Sequence, residues 1–409
     1  MGKEIRNVII VGGGVIGATT AYYLSRHSSY DRSIHKITII EATSFASAAS
    51  GKAGGLLATW AYPSCIVPLS YQLHAELASE HNGTERWGYR GLHCASVRAM
   101  GKPSEPDSDC STPIVDSNGW KKNTQMNNGE KSESLLTVRV PENLDWIDAD
   151  TIKAYTEMGT PKNTAQVHPY LFTTSMVDLA TEAGVRLIFG RVTDINYSSD
   201  SVRGVKYEDK LTKEIKELEA SDVILAAGPW TSHLFPFAPV EAARAHSVII
   251  KAQVSPYSIF TEISPLKHGR NQKHAPFVTP EIYPRPDGTV YVCGDTDTSA
   301  PLPLSSDLVT CDENECQNII DQVSTISVKL KGGEVLKKQA CYLPNLKKGT
   351  VDGPLIGKTI FKGLFLATGH SCWGIQNSCA TGKLMSELIF DGKAKSANIE
   401  SLDPRRLFE

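Results

Sequence analysis

The sequence predicts an α/β fold with a parallel sheet, for two reasons. First, the apolar run Val8–Val11 leads into the glycine-rich segment 12–17 and then into a helix-compatible stretch, which is the order strand, tight turn, helix. Second, the run 223–227 is apolar throughout and the run 364–368 is apolar up to Thr368, which predicts buried strands of a parallel sheet. Residues 240–350 alternate strand-like runs with proline-containing loops, which predicts a separate β-rich lobe.

The glycine-rich turn predicts a dinucleotide site. The spacing of Gly12, Gly14 and Gly17 lets the backbone turn sharply, approach a pyrophosphate and pack helix against strand. Glu41 ends the second strand 24 residues after Gly17, near the ~20 expected for an acidic partner of ribose hydroxyls. An ordinary glycine-rich turn is the alternative, and the turn by itself does not distinguish NAD from FAD.

Two further segments are suited to close contact with a ligand. Segment 46–57 has a small residue at nearly every position, and the Ser50 hydroxyl could donate to a phosphate. The strand that starts at Asp222 ends in Ala226-Ala227-Gly228, where no large side chain covers the backbone. A flexible linker is the alternative for 46–57.

Composition and charge exclude several classes of protein. The 409-residue chain has a net charge of −3 and no basic block, so nucleic acid is not an expected partner. The N-terminal apolar run is too short for a signal peptide or an integral membrane segment, and it is better explained as the first strand. The nine cysteines form no Cys-x-x-Cys pair and no zinc spacing, which predicts reduced thiols and no metal site.

Caps and periodicity predict further elements. We expect a helix over 169–183, and another that is capped by Asp148 or Asp150 and runs to Met158. The segment at about 101–134 is polar and lacks periodicity, which predicts a surface insertion.

These stretches together resemble the D-amino-acid oxidase superfamily of FAD-dependent oxidoreductases, which includes glycine oxidase and sarcosine oxidase. The resemblance covers nearly the whole chain, and the run 352–357 also fits it. Within the group the chain is most similar to fungal FAD-dependent oxidoreductases, some of them linked to late-endosome transport. The resemblance rests on four motifs in the correct order: Gly12-x-Gly14-x-x-Gly17, Ser50-Gly51-x-x-Gly54-Gly55, Ala226-Ala227-Gly228-x-Trp230-Thr231 and Gly369-His370-x-x-x-Gly374.

The resemblance implies that the cofactor is FAD. It assigns the pyrophosphate to the glycine turn, the adenosine ribose to Glu41 and the adenine to the backbone of Val192. It also implies that the loop 369–377 lies against the isoalloxazine ring, where the N-terminus of the following helix would offer N–H groups. The implied cofactor-binding residues are Gly12, Gly14, Val15, Ile16, Gly17, Glu41, Ser50, Gly51, Lys52, Ala53, Gly54, Gly55, Leu56, Val192, Ala226, Ala227, Gly228, Trp230, Gly369, His370, Trp373, Gly374, Ile375 and Gln376.

The positions of the motifs predict a Rossmann-like FAD-binding domain that is discontinuous in sequence. Residues 1–60, 165–235 and 350–409 contain the dinucleotide signals and are assigned to this domain. Residues 61–164 and 236–349 are assigned to a β-rich substrate-binding domain.

The resemblance also implies a reaction on a small-molecule substrate. We expect a small amine or an amino or imino compound to lose hydride to the flavin, with oxygen or another acceptor reoxidising it. The alternative is a flavin-binding protein with a non-catalytic role in endosomal trafficking and a trafficking protein as its partner. The expected location is the cytoplasm. For the trafficking alternative, we expect a peripheral association with late endosomes.

The chain departs from the superfamily at one position. Amino-acid oxidases of this group hold the substrate carboxylate with an arginine just before a proline, a position that Leu343 occupies here. Arg285 is a candidate substitute for that arginine and Tyr283 a second candidate catalytic residue, and for both the alternative is a structural role in a hairpin.

Two other candidate catalytic residues remain. His246 lies in a region that faces the flavin in relatives, where it would bind substrate or the ring, and a core histidine is the alternative. Lys52 is the one charged residue in a segment of small residues. A lysine beside a flavin can stabilise negative charge on the reduced ring or on superoxide. The alternative is a solvated lysine on a loop, without such a role.

Overall fold

A computed structural model describes residues 5–102, 138–264, 277–350 and 353–408. Residues 103–134 of the expected polar insertion lie outside the described residues, as does Asp352 of the 352–357 run. The strands are β1 (Asn7–Val11), β2 (Lys36–Glu41), β3 (Leu56–Ala58), β4 (Arg90–Gly91), β5 (His93–Met100), β6 (Ile152–Gly159), β7 (Thr164–Gln166), β8 (Arg186–Ser198), β9 (Ser201–Asp209), β10 (Ile215–Glu219), β11 (Asp222–Leu225), β12 (Val240–Lys251), β13 (Tyr257–Ser264), β14 (Glu281–Pro284), β15 (Thr289–Asp297), β16 (Glu334–Leu346), β17 (Leu355–Lys358) and β18 (Leu364–Thr368). The helices are α1 (Val15–Leu24), α2 (Val67–Glu80), α3 (Gly83–Trp87), α4 (Pro169–Glu182), α5 (Thr231–Leu234), α6 (Glu313–Ser324), α7 (Val328–Lys331) and α8 (Gly374–Phe390).

The largest sheet has the predicted parallel centre. Its eight strands lie in the order β10–β9–β8–β2–β1–β11–β18–β17, and β8, β2, β1, β11 and β18 are mutually parallel. Val11 at the end of β1 is in register with Ile40 on one side and Leu225 on the other. The carboxyl ends of these strands therefore meet at one edge, which is where open α/β sheets bind ligands.

Helices cover one face of this sheet. Helix α1 packs against α8 and α4, and its buried residues share one apolar core with those of β1, β2 and α8. Leu73 of α2 and Trp87 of α3 are buried in the same core. Helices α2 and α3 thus pack with the nucleotide-binding elements, although the sequence assigns 61–164 to the substrate domain. The domain bounds stay a prediction.

The second large sheet forms the β-rich part of the molecule. Its seven strands lie in the order β16–β12–β15–β14–β13–β5–β6, and only β13 and β5 among them pair in parallel. Helix α6 packs on this sheet through Ile319 and Val323, which are buried with Val248 and Val292. A small three-stranded sheet, β3–β7–β4, joins segments from both predicted domains.

The helix predicted to run from Asp148 or Asp150 to Met158 is wrong. Residues 152–159 form strand β6, which pairs antiparallel with β5, and Asp148 precedes only a short 3₁₀ turn over 149–151, without a capping bond from its side chain. A capping residue is a local signal, whereas a strand also gains hydrogen bonds from a distant partner that the local sequence does not reveal. The helix predicted over 169–183 is confirmed as α4.

Candidate active site

A cavity of about 790 Å³ opens where the carboxyl ends of the parallel strands meet the seven-stranded sheet. None of Gly17, Gly51, Gly369 and Gln376 is among its lining residues. The implied cofactor residues that do line it are Gly12, Gly14, Val15, Ile16, Glu41, Ser50, Lys52, Ala53, Gly54, Gly55, Leu56, Val192, Ala226, Ala227, Gly228, Trp230, His370, Trp373, Gly374 and Ile375.

The turn between β1 and α1 is built from backbone that no side chain could cover. Gly12 has φ +110°, and a Cβ added there would lie 2.5 Å from the carbonyl oxygen of Ala226. Its amide donates to the carbonyl of Ile40 at 2.9 Å, so the turn is held by both neighbouring strands. The close approach of the glycine turn to the end of β11 explains why both segments have small residues.

Glu41 and Ser50 hold this turn from the outside. The half-buried carboxylate of Glu41 accepts from the amide of Gly13 at 2.7 Å and from the amide of Thr43 at 2.9 Å. The Ser50 hydroxyl accepts from the amide of Val15, in the first turn of α1, at 2.8 Å. Segment 46–57 is therefore bound to the start of α1, where free N–H groups and the helix dipole favour an anion.

The loop before α8 forms the opposite wall. His370 is buried, and its Nε2 lies 3.0 Å from the Thr381 hydroxyl. Burial lowers the pKa of His370 to about 3, so the ring is neutral and shapes the loop without acid–base work near neutral pH. Gln376 of α8 accepts from the amide of Ala58 at 2.8 Å, which ties the helix to β3.

The four candidate catalytic residues separate into two pairs. Lys52 and Tyr283 line the cavity, and His246 and Arg285 do not. The Nε2 of His246 accepts from the amide of Asp312, the N-cap of α6, at 3.0 Å, so this ring holds the start of a helix.

Arg285 lies behind the cavity wall. Its guanidinium donates to the carbonyl of Ala53 at 3.1 Å and lies 5.4 Å from the centre of the Tyr291 ring. Burial lowers the pKa of the Arg285 guanidinium, and Nη1 lies 3.5 Å from Nε2 of His168. The structure thus brings Arg285 against the backbone of the 46–57 segment, on the far side from the cavity.

Lys52 and Tyr283 have different surroundings within the cavity. The Lys52 ammonium donates to the carbonyl of Ala340 at 2.9 Å, and burial lowers its pKa. The Tyr283 ring lies against Gly54, where an added Cβ would be 2.6 Å from Cδ2 of the ring. The Tyr283 hydroxyl donates to the carboxylate of Glu281 at 2.5 Å, and burial raises the tyrosine pKa well above its usual range.

Several lining residues of the seven-stranded sheet were not predicted as site residues. They include Glu281 on β14, Phe260 on β13, and Tyr291 and Cys293 on β15. One signal was available, because Glu281 and Tyr283 are two residues apart on a predicted hairpin strand and must therefore face the same side. Phe260 had no such signal, since its position depends on the pairing of distant strands.

The arrangement fits a dinucleotide that extends from the glycine turn to the start of α8. The glycine turn presents bare backbone to the cavity, because a Cβ at Gly12 would collide with the Ala226 carbonyl, and Glu41 stands beside it at the end of β2. Among the residues that the model describes, no group of three His, Cys, Asp or Glu residues is arranged to hold a metal ion. No described helix is both long and apolar enough to cross a membrane.

Comparisons with known proteins agree with this geometry. A family model described as FAD dependent oxidoreductase matches residues 7–388. An alignment of 505 residues with TDA3 of Saccharomyces cerevisiae has 35% identity. The alignment covers 99% of this chain and 95% of the yeast protein. C1F5.03c of Schizosaccharomyces pombe is 34% identical over 421 residues, which cover 99% of both chains.

The fold also matches a solved enzyme. Glycine oxidase from Bacillus cereus superposes with a TM-score of 0.67 at 19% identity, over 97% of this chain and 100% of the oxidase. This likeness extends over both large sheets, because it spans nearly the whole chain. The chain belongs to the DAO family of FAD-dependent oxidoreductases, and its cofactor is FAD.

Proposed function

We propose that this oxidoreductase acts on a small amine or an amino or imino compound. The observation that supports this proposal is a continuous cavity, which runs from the glycine turn to a chamber beneath β13, β14 and β15. When bound, FAD accepts the hydride that leaves a substrate C–H bond and passes the electrons to oxygen or another acceptor. The protein then has to bind both molecules, orient them and exclude water.

The residues of the chain supply these functions in our proposal. The N-terminal turns of α1 and α8 offer backbone N–H groups to the anionic parts of the cofactor, and Glu41 accepts from its ribose hydroxyls. The Tyr283 ring, which packs on Gly54, would lie along the flavin and form one wall of the substrate chamber. Neutral His370 would keep the loop before α8 in place.

The carboxylate-binding arginine of related amino-acid oxidases has no counterpart in the cavity. Leu343 lines the cavity, and Arg285 does not. Arg191 is a lining residue, but it pairs with Glu208 at 2.8 Å near Val192, at the end assigned to adenine. These contacts favour a substrate that is recognised through its amino group.

The absorption spectrum of the purified protein tests this proposal first. We expect the bands of oxidised flavin, with FAD released into the supernatant after acid precipitation. Amines added under nitrogen should then bleach these bands. A colourless protein that cannot be reconstituted with FAD would contradict the cofactor site, and colour that stays in the pellet would indicate a covalent bond.

A second candidate function is a non-catalytic one, in endosomal trafficking. The absence of a free arginine among the described lining residues supports it, since a site without selection for substrate would lose such a residue. A flavin-loaded protein that no amine reduces, and that co-purifies with a trafficking protein at late endosomes, would favour this alternative. A catalytically active protein spread through the cytoplasm would exclude it.

A further inference from the structure

Glu281 is a carboxylate of the cavity wall that has no cationic partner among the described residues. Glu281 of β14 lines the chamber beneath the seven-stranded sheet. It accepts from the Tyr283 hydroxyl at 2.5 Å, and the Cys293 thiol lies 3.8 Å from the same oxygen. No Lys, Arg or His nitrogen of the described residues lies within 4.0 Å of it. Glu281 is half-buried, and a carboxylate that is partly removed from water is normally paired, so this side chain is suited to pair with a cationic ligand.

Aromatic rings line the cavity beside this carboxylate, since Phe260 is in register with Glu281 and Tyr283 donates to it. The ring centres of Phe260 and Tyr283 are 6.2 Å apart, and those of Tyr283 and Tyr291 are 5.9 Å apart. On the other side, Trp60 contacts both Phe260, at 6.3 Å, and Trp373, at 5.6 Å. Ring faces are negative and attract organic cations, which in proteins are bound by such groups of rings.

The cations of the cavity wall lie elsewhere. The Lys52 ammonium donates to the Ala340 carbonyl of β16 at 2.9 Å, and Arg191 pairs with Glu208 at 2.8 Å. The charged group that acts on the pKa of Glu281 is another acid, Asp295 of β15, which also lines the cavity. The substrate chamber therefore has acids and aromatic rings on its sheet side, which disfavours a substrate carboxylate.

We propose that Glu281, with the rings of Phe260, Tyr283 and Trp373, binds the positively charged nitrogen of an alkyl- or arylalkylamine that has no carboxylate. This inference rests on the proposed function and names the substrate class of the same site. In amino-acid oxidases an arginine binds the substrate carboxylate. Here Glu281, a group of opposite charge, would bind the substrate nitrogen. The amine nitrogen contacts the carboxylate, and its carbon substituents pack on the rings.

Ligand binding tests this inference without any turnover. The FAD-loaded protein is titrated with benzyltrimethylammonium, a cation without an N–H bond, and separately with benzoate, a carboxylate of similar size. Binding is followed by the change that each ligand causes in the visible flavin spectrum. We expect the cation to bind and benzoate to bind at least about tenfold more weakly.

A matched pair of variants assigns the effect to Glu281. Glu281→Gln should weaken binding of the cation by about tenfold or more, because the neutral amide no longer attracts it. Glu262→Gln, on the neighbouring strand β13, is the control, since Glu262 pairs with Arg98 on the protein surface. Binding should also weaken as the pH falls through the raised pKa of Glu281, and this pH dependence should disappear in Glu281→Gln.

The outcomes are distinct from those for the proposed function. Tighter binding of benzoate than of the cation, or an unchanged affinity for the cation in an FAD-loaded Glu281→Gln protein, would overturn the inference. Either result would leave the flavin site intact. Should Glu281→Gln fail to retain FAD, Tyr283→Phe tests the carboxylate through its pKa, because it removes the hydrogen bond that lowers the pKa of Glu281 and keeps the ring; an unshifted pH profile of cation binding would then overturn the inference.

Discussion

The two ends of the cavity are built in different ways. At the cofactor end the wall is mostly backbone, with Gly12 against Ala226 and the amides of Gly13 and Val15 held by Glu41 and Ser50. At the substrate end the wall consists mostly of side chains from five strands of the seven-stranded sheet, β12 to β16. A backbone site tolerates little change in sequence, whereas a side-chain site can change its ligand by single substitutions. The cofactor end therefore defines the family, and the substrate end defines the individual enzyme.

The largest effect is expected at the glycine turn. Gly12→Val should abolish FAD binding, because Gly12 has φ +110° and its Cβ would meet the Ala226 carbonyl at 2.5 Å. The ratio of flavin to protein absorbance measures the loss. Gly392→Ala is the control, since Gly392 also has a positive φ, +78°, but no atom lies within 4 Å of its added Cβ. Full FAD content in Gly12→Val would contradict the backbone description of this end.

A smaller effect is expected at Glu41. Glu41→Gln keeps the shape of the side chain but removes the charge that favours the amide of Gly13 and the ribose hydroxyls. We expect the dissociation constant of FAD to rise about tenfold, as for the loss of a charged hydrogen bond. Equilibrium binding of FAD to the apoprotein measures this change. Glu219→Gln, at an exposed position of β10, should bind FAD as the unmodified protein does, and equal affinities for both variants would argue against a ribose contact.

At the substrate end, Tyr283→Phe should change the pH dependence of amine binding. Burial raises the pKa of the Glu281 carboxyl, and the hydrogen bond from Tyr283 opposes that rise. Without the hydroxyl the pKa rises further, so Glu281 becomes neutral at a higher pH and cation binding is lost there. We expect about three- to tenfold weaker binding near the midpoint, with FAD content unchanged. An unshifted pH profile would show that the two side chains are not coupled.

The smallest effect is expected for Lys52. Its ammonium lies in the cavity wall and donates to the Ala340 carbonyl. Lys52→Met should slow the return of yellow colour when oxygen is admitted to the reduced protein, because a positive charge near the flavin is lost. Stopped-flow absorbance gives the rate, and Lys36→Met, at an exposed lysine of β2, is the control. Equal rates of reoxidation for both variants would contradict the proposed role of Lys52.

The sequence predicts the cofactor end well because its signals are local. The order of strand, glycine turn and helix at 7–24, and the apolar strand at 364–368, are each contained in one short stretch. Turn geometry and backbone approach impose residue types that remain visible without knowledge of the fold. The same holds for helix 169–182, which begins at a proline.

The substrate end depends on pairings between distant strands. Glu281 and Phe260 meet in the cavity because β13 pairs with β14, with Phe260 in register with Glu281. The sequence offers no measure of that register. For the same reason the sequence could not show that His246 of β12, a candidate for contact with the flavin, accepts instead from the Asp312 amide at the start of α6. The sequence likewise could not show that Arg285 donates to the Ala53 backbone behind the cavity wall.

The most direct measurement compares amines with amino acids of the same skeleton. The FAD-loaded protein is mixed under nitrogen with matched pairs such as benzylamine and phenylglycine, and the loss of flavin colour is recorded. Our account predicts that amines bleach the flavin and that the partner with a carboxylate does so much more slowly or not at all. Faster bleaching by the amino acids would contradict the assignment of Glu281 and its rings to an amine.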